Sequence, residues 1–598
     1  MTMHTRQLTR RHILALGALA AASIASACGD ESAATSTAAP AVATPLRPTP
    51  APPTATIAIG AAATVAPTAP TAPTVPTVGP VAAGATAVPA RTDGKIPAPN
   101  ENVPDAFLVP PPVFTAIPTV PGKGGKVTTF QFLEGPPPLP RDQNLYWQEL
   151  EKRIGATLEV TWGPDDTFRE KAATVLASGN IPDLVWLNPP SVPDQYRAIQ
   201  QGAFTDLTPY LTGDALKQFP NLAAFPAATW KNVAINKKIY GVPRPRTLAR
   251  DSLIYRQDWA EKIGVPNPRN ADEFFNMMVA FAKNDPDGNG KADTYAQGSS
   301  GGTFNLLIFR AIHRAPSQWR LNPDGSLLHE IETEEYKQAV AFARRLWEAG
   351  AYHPDSASMS ASIERNGFHG GKIGTISTTV TIDYGGVGGL AYKTRELSPG
   401  ANVRALVPFG HDGGKGVTYN GPGFHGFSGM AARVGKDPER VRELLRILDY
   451  FAAPFGSEEQ VFRNYGTEGV HHTRKPDGTR DINDRGKREI GDQFGLPNLP
   501  NLTNAPQVFY YPGTTGDAEY VQNVAKEMSA IGIDNPTLNV YSPTAVTKSA
   551  ELTQLGRDRI TALVTGREPF SAYDAWVRDW RSRGGDAIRK EYEQALKG

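Results

Sequence analysis

A long stretch of Ala, Thr, Pro and Val, residues 29–124, removes much of this chain from any packed core. In Ala66–Pro76, for example, proline recurs at every third residue. Proline lacks a backbone N–H and favours extended geometry, and the stretch holds too few large apolar side chains to offset the entropy of ordering. We therefore expect a disordered stalk here, with the fold built from residues 125–598.

Strand and helix patterns alternate as soon as the stalk ends. The predicted elements are, in order, a strand over 126–133, a helix over 144–154, a strand over 156–162, a helix over about 168–177 and a strand over 183–187. Such repeats join by right-handed crossovers into a parallel sheet that is covered on both faces. Longer amphipathic helices follow, with Asn270 and Asp437 as expected N-caps. The pattern predicts the α/β fold class.

Residues 1–28 have the layout of a bacterial export signal that ends in a lipid-attachment site. Arg10 and Arg11 precede an apolar stretch of roughly 15 residues, shorter than the ~20 that a membrane span needs. Small residues then lead to Cys28, the only cysteine of the chain, although Ala25 stands where leucine is usual. The paired arginines favour the twin-arginine route, and an ordinary positive n-region is the alternative. We predict an extracytoplasmic protein that is anchored to the cell membrane through lipid on Cys28.

Charge and cysteine content exclude several classes of function. A formal net charge of +1 provides no global field for nucleic acid, so no nucleic-acid partner is expected. With one cysteine, the chain can form neither an intrachain disulfide nor a cysteine-based metal cluster. Any bound ion would therefore be held by oxygen ligands.

Seven short segments together carry a resemblance to a known family. In chain order they are Ala177–Asp183, Gly202–Leu211, Lys238–Pro243, Tyr255–Trp259, Asp285–Asp293, Gly466–Val470 and Gly584–Ile588. In this order they resemble the family 1 extracellular solute-binding proteins of bacterial ABC sugar importers, most closely the large lipoprotein and alginate-oligosaccharide-binding branch. The resemblance extends from residue 126 almost to the end of the chain.

The resemblance implies a two-lobed, periplasmic-binding-protein-like (type II) fold with a hinge and a cleft between the lobes. Lobe 1 would comprise residues 125–246 plus about 421–470, and lobe 2 about 247–420 plus 471–598. A monomer would capture a carbohydrate, an oligosaccharide by this likeness, and deliver it to the permease subunits of an ABC importer. A sugar-sensing or adhesion lipoprotein is the alternative.

An acidic loop has the residue types of a calcium site. Asp285, Asp287, Asn289 and Asp293 alternate around a glycine turn, and Lys291 offers its backbone carbonyl; such hard oxygen donors suit Ca²⁺. Relatives in the family bind calcium at this loop, which makes Ca²⁺ the expected structural cofactor. The glutamate of the twelfth EF-hand position is missing, and Thr294 replaces the acid that the family tends to use after the ninth. A solvated turn without an ion is the alternative.

Sugar sites combine aromatic platforms with planar polar side chains, and such residues stand at several predicted strand ends and loops. The candidates are Trp162, Trp186, Tyr240, Tyr255, Trp319, Phe424, His425, Glu468 and His471. For each aromatic residue, simple core packing is the alternative, and for Glu468 a surface acid. Arg244, Arg246, Arg250 and Arg256 near the presumed hinge would suit an anionic sugar if they are not merely solvated.

Enzymatic activity is not expected, because the chain lacks a His-Glu-x-x-His motif. Paired glycosidase carboxylates need not be close in sequence, which leaves a secreted carbohydrate-active enzyme as a rival class.

The anchor yields a first prediction. Cys28→Ser removes the only thiol that could carry lipid. The variant should move from the membrane fraction to the soluble exported fraction, while sugar affinity measured by calorimetry stays unchanged. Loss of affinity in the released protein would contradict a role of Cys28 in anchoring alone.

Overall fold

The computed structural model describes residues 94–133, 136–189, 192, 194–491 and 501–597. The predicted export signal with Arg10, Arg11 and Cys28, and residues 29–93 of the predicted stalk, lie outside these ranges. None of the helices in the described ranges combines the length and the apolar character that a membrane span requires.

Strands and helices alternate along the described chain. The strands are β1 (Lys95–Ile96), β2 (Ala106–Phe107), β3 (Lys126–Leu133), β4 (Thr157–Pro164), β5 (Leu184–Leu187), β6 (Gly241–Pro245), β7 (Asp251–Arg256), β8 (Tyr295–Gln297), β9 (Trp319–Leu321), β10 (Leu327–His329), β11 (Ile373–Thr379), β12 (Val403–Leu406), β13 (Thr418–Tyr419), β14 (Phe424–Met430), β15 (His472–Arg474), β16 (Arg480–Ile482), β17 (Phe509–Tyr510) and β18 (Gly532–Ile533). The helices are α1 (Leu145–Ile154), α2 (Phe168–Ala177), α3 (Asp194–Gln200), α4 (Gly213–Leu216), α5 (Pro220–Ala223), α6 (Ala227–Val233), α7 (Gln257–Lys262), α8 (Ala271–Lys283), α9 (Leu306–His313), α10 (Glu334–Glu348), α11 (Ala361–His369), α12 (Val380–Asp383), α13 (Leu390–Leu397), α14 (Pro438–Phe451), α15 (Glu458–Tyr465), α16 (Asp484–Ile490), α17 (Thr515–Ser529), α18 (Pro543–Val564), α19 (Tyr573–Trp580) and α20 (Asp586–Lys597).

Lobe 1 is built on a five-stranded sheet in the order β4-β3-β5-β14-β6. β3 runs parallel to β4 and β5, as the alternating pattern predicts. The side chain of Asn144 accepts the N–H of Trp147 at the start of α1, and Gly155 ends that helix with a φ of 65°. These local signals place α1 where the sequence predicts it, and α2 also has its predicted bounds.

The fourth position of this sheet is filled by a strand from much later in the chain. β14 lies antiparallel between β5 and β6, with Phe427 opposite Leu187 and Pro243. Residues 251–419 therefore form an insertion between β6 and β14. Helix α14 follows at once, with Asp437 as the expected N-cap, and contributes Leu444 to the core of lobe 1.

Lobe 2 is built on a four-stranded sheet in the order β12-β7-β11-β8. One face carries Leu253 and packs on α8, α9, α10 and the C-terminal helices, and the other carries Ile254 and packs on α13 and α17. The α/β architecture with two lobes is thus confirmed. The border of lobe 1 differs from the prediction at 470, because Ile490 and Leu502 are buried in the lobe 1 core.

Three segments connect the lobes: residues 246–250, 420–423 and 503–508. The first two are hydrogen-bonded to each other, from Arg246 N–H to Gly423 O and from Gly421 N–H to Leu248 O, both at 2.9 Å. The third is tied to the first through Thr381 of α12: Nε2 of Gln507 donates to the carbonyl of Thr381 at 2.6 Å, and the hydroxyl of Thr381 lies 3.0 Å from that of Thr247. These segments form the hinge.

Residues 94–123, which were assigned to the stalk, are folded against both lobes. We call them the strap. In the strap, β1 pairs with β2, and β2 runs parallel to β17. Val103 and Ala106 are buried in lobe 2. The stalk boundary predicted at 124 is therefore wrong. The prediction rested on the average proline-rich composition, whereas a few apolar residues suffice to anchor this segment.

The strap then continues onto lobe 1. The ring of Phe107 lies 4.9 Å from that of Phe455. The carboxylate of Glu459 accepts the N–H groups of Ala116 and Ile117 at 3.1 and 2.8 Å. The strap thus joins the two lobes as a fourth connection beside the three hinge segments.

Glu459 should be the side chain that holds the strap on lobe 1. Glu459→Ala leaves two backbone N–H groups without their acceptor and should cost about 1–3 kcal/mol in the free energy of unfolding. It should also speed proteolysis within residues 94–117. The neighbouring Glu458 is exposed, so Glu458→Ala serves as the control. Equal stability and equal cleavage of the two variants would contradict the assignment.

Candidate functional site

The two sheets turn particular edges toward the hinge. β6 enters the hinge at its C-terminal end, so that end of β3, β4, β5 and β6 lies on the hinge side, together with the start of the antiparallel β14. In lobe 2, the start of β7 and the ends of β11 and β8 lie on the same side. Open α/β sheets bind ligands at the carboxyl ends of their strands. The candidate site is therefore the space between these two edges.

An aromatic cluster stands at the lobe 1 edge. The ring of Phe132 is stacked on that of Trp186, with ring centroids 5.0 Å apart, and the imidazole of His425 lies 5.7 Å from Trp186. Phe168 meets Trp186 edge-on at 5.0 Å and supports the cluster from the core. Phe132 and His425 are half-buried, and the buried indole N–H of Trp186 has no hydrogen-bond partner among the described residues. Flat apolar faces beside polar nitrogens match what a sugar ring requires.

The imidazole of His425 is held in its neutral form. Burial, together with the nearby guanidinium groups of Arg244, Arg246 and Arg250, lowers its pKa to about 3. A neutral imidazole offers both a donor and an acceptor to a ligand hydroxyl.

Three of the four predicted arginines surround this edge. Arg244 lies on β6, and Arg246 and Arg250 lie in the first hinge segment. Arg256 does not belong to the group, because it stands at the far end of β7, paired with Asp258 at 2.6 Å and stacked over Trp259.

The lobe 2 edge is polar. The hydroxyl of Thr379 donates to Asp251 at 2.6 Å, and that of Thr378 donates to Asp383. Arg250 and Arg365 lie 3.5 and 3.6 Å from the carboxylates of Asp251 and Asp383. The hinge-side edge of lobe 1 is thus aromatic, and that of lobe 2 carries hydroxyls and loosely paired charges.

Of the predicted ligand-binding residues, the structure brings only Trp186 and His425 into ring contact at this edge. Trp162 is half-buried near the end of the edge strand β4. Phe424 is buried in the lobe 1 core. Tyr240 stands at the opposite end of the sheet, where its carbonyl accepts the N–H of Met430. A residue's position at a strand end does not show whether that end adjoins the hinge or lies at the opposite side of the sheet.

Three other candidates are core residues, so their predicted role is wrong. The hydroxyl of Tyr255 donates to Pro266 O at 3.0 Å, and Trp319 is packed against His329 and Trp580. His471 is 1% exposed. Its Nδ1 accepts the N–H of Thr467, which leaves its Nε2–H to donate to Glu489 at 3.1 Å.

Glu468 remains accessible. It is exposed on the loop that leads to His471. Glu489, the partner of His471, accepts the backbone N–H of Leu145 at the start of α1, at 2.8 Å. Because α1 follows the C-terminal end of β3, this loop lies near the hinge-side edge. Phe132 and Phe168 were missed by sequence reasoning, although the end of β3 is where the strand-end rule directs attention.

The acidic loop forms a tight turn between α8 and β8, far along the chain from the aromatic cluster. The carboxylate of Asp285 accepts the N–H groups of Asn289 and Gly290 at 3.1 and 2.9 Å. Gly290 has a φ of 76°, as the sharp turn requires. Nδ2 of Asn289 lies 2.7 Å from Asp287 and 3.1 Å from Asp293, so these two carboxylates converge on one point.

A family model described as "Bacterial extracellular solute-binding protein" matches residues 141–346, which span parts of both lobes and the first hinge segment. The lipoprotein LipO of Bacillus subtilis (strain 168) is 26% identical to this chain over 76% of the chain and 89% of LipO. The chain is thus similar to bacterial extracellular solute-binding proteins.

Other relatives carry names that describe their ligands. The polygalacturonan/rhamnogalacturonan-binding protein YtcQ of Bacillus subtilis (strain 168) is 27% identical over 77% of this chain and 89% of YtcQ. Among solved structures, FusA of S. pneumoniae in complex with kestose has a similar fold. The match covers 79% of this chain and 99% of FusA, with a TM-score of 0.55 and 19% identity. The match with the alginate-binding protein AlgQ2 without calcium ion covers 80% of this chain and 98% of AlgQ2, with a TM-score of 0.54 and 15% identity. These structures share the fold.

Because the pKa of His425 is depressed, we predict that its contribution to the free energy of unfolding decreases in acid. Between pH 6.5 and about 3, the unfolded chain binds a proton at this residue that the folded chain does not. The stabilisation is complete above pH 6.5 and is lost as the pH falls. In denaturant unfolding, wild type should lose about 2 kcal/mol more than His425→Gln between pH 7.5 and pH 5.0. Equal losses in both proteins would contradict the burial of a neutral imidazole.

Proposed function

We propose that this protein captures an oligosaccharide in the cleft between its lobes and delivers it to the permease subunits of an ABC importer. The observation that carries the proposal is the cluster of Phe132, Trp186 and His425 at the edge of lobe 1 that adjoins the hinge. The names of YtcQ and FusA, which describe carbohydrate binding and ABC transport, support it.

The proposed location is extracytoplasmic, with the monomeric protein anchored to the cell membrane by lipid on Cys28 and exported by the twin-arginine route. A lipoprotein relative and the export-like layout of residues 1–28 support this part. Two lobes joined at a hinge can close over a ligand, and the closed form is the species that a permease would accept. The anchor raises the local concentration of this receptor at the permease.

Binding without turnover is part of the proposal. The comparisons give binding proteins, and the cleft edges offer an aromatic wall and hydroxyls that suit retention of a sugar. After incubation with the protein, the oligosaccharide should be recovered unchanged at one equivalent per chain. Release of shortened products would favour the rival class of carbohydrate-active enzymes.

We also propose a structural calcium ion at residues 285–293. The residues fit a hard cation in part: Asp287 and Asp293 converge, and Asp285 and the carbonyl of Lys291 belong to the same turn, whereas Asn289 would have to turn its amide over to offer its oxygen. Calcium would join the end of α8 to the start of β8 and so stabilise lobe 2. The loop lacks the additional glutamate that would give a strong site.

The binding proposal is tested by isothermal titration calorimetry with a panel of neutral oligosaccharides and oligogalacturonides. The acidic sugars are included because three arginines surround His425. Phe132→Ala removes the half-buried face of the aromatic wall and should weaken binding about tenfold or more, or about 1.4 kcal/mol.

Tyr240→Ala is the matched control, because Tyr240 is also half-buried against the lobe 1 core but stands at the other end of the sheet. It should leave the affinity unchanged. Equal loss of affinity in both variants, or no binding of any sugar by the wild-type protein, would contradict the proposed site.

A further inference from the structure

Lys372, the residue directly before β11, brings a positive charge to the acidic loop from outside it. β11 runs parallel to β8 with Ile373 beside Tyr295, and the carbonyl of Lys372 accepts the N–H of Tyr295 at 2.9 Å. The register of the lobe 2 sheet therefore fixes the backbone of Lys372 next to the end of the loop. Its Nζ lies 2.7 Å from Oδ2 of Asp293 and 3.7 Å from Oδ2 of Asp287.

Asn289 turns an amide donor, and not an acceptor oxygen, toward the carboxylates that a metal ion would need. Its Nδ2 faces the carboxylates of both Asp287 and Asp293, and its Oδ1 accepts the N–H of Lys291 at 2.8 Å. To offer Oδ1 to a metal ion, the amide of Asn289 would have to turn over. Lys372 would have to leave the two carboxylates as well.

Thr294 stands at the position next to Asp293, where an acidic side chain would give a metal ion one more charged ligand. Its side chain is buried, and its hydroxyl donates to the carbonyl of Phe281 at 2.9 Å. The position next to Asp293 is thus used to fasten the loop to α8. Affinity for calcium rises with the number of charged ligands. The missing acid therefore weakens Ca²⁺ binding relative to the ion pairs that the Lys372 ammonium group forms with the loop.

We propose that Lys372 is the internal counter-cation of the loop 285–293, which it holds closed without metal, and that it competes with Ca²⁺ for Asp287 and Asp293. The inference rests on the calcium site of the proposed function. It follows that lobe 2 keeps its fold in the presence of chelator. Calcium binding then requires displacement of the Lys372 ammonium group.

The test is a calorimetric titration of calcium chloride into the full chain in 0.15 M salt, with wild type, Lys372→Met and Lys291→Met. Lys372→Met should bind Ca²⁺ about three- to tenfold more tightly, because a unit charge a few ångströms from the divalent site is removed. Lys291→Met removes an exposed charge of the same loop but keeps the backbone carbonyl, and its affinity should change less than twofold. In EDTA, Lys372→Met alone should lower the Tm, and calcium should restore it.

The outcomes separate the two proposals. Calcium binding with the same affinity in wild type and Lys372→Met would overturn the role of Lys372 and leave the calcium site in place. An unchanged Tm of Lys372→Met in EDTA would also overturn that role. Absence of calcium binding in all three proteins would overturn both proposals.

Discussion

The return of β14 to an interior position of the lobe 1 sheet, between β5 and β6, is the constraint on which the rest of the molecule depends. Because β14 pairs with both β5 and β6, the whole of residues 251–419 has to leave lobe 1 and come back at the same edge. Two chain segments then cross side by side, joined by hydrogen bonds between Arg246 and Gly423 and between Gly421 and Leu248. The cleft must open next to this crossing, which is where His425 begins the returning strand.

Local signals in the sequence predicted the elements of lobe 1 closely. The strand predicted over 126–133 coincides with β3, and Asn144 and Gly155 delimit α1 as expected. Asn270 caps α8 by accepting the N–H of Glu273, and Asp437 caps α14. Periodicity and capping are properties of a few neighbouring residues, so one sequence suffices to find them.

Features that depend on distant partners could not be predicted in the same way. The strap shares the proline-rich composition of residues 29–93, and its contacts with lobe 2 through Val103 and Ala106 and with lobe 1 through Phe455 and Glu459 distinguish it. His471 has a polar environment made by Glu489, eighteen residues away, which turns an expected sugar ligand into a buried support for α1. Likewise, strand-end aromatics do not reveal which end of a sheet adjoins the hinge, so Tyr240 and Tyr255 were assigned to the wrong ends.

The hinge, the aromatic wall of lobe 1 and the polar edge of lobe 2 together form the proposed binding surface. We propose that the ligand lies between the two edges. The most direct measurement is a crystal structure of the protein with the oligosaccharide that raises the Tm most. We expect a sugar ring against Phe132 and Trp186, with a hydroxyl at the imidazole of His425 and the lobe 2 edge at Thr379 near the same sugar. A sugar bound away from the hinge-side edges of the two sheets would contradict the account.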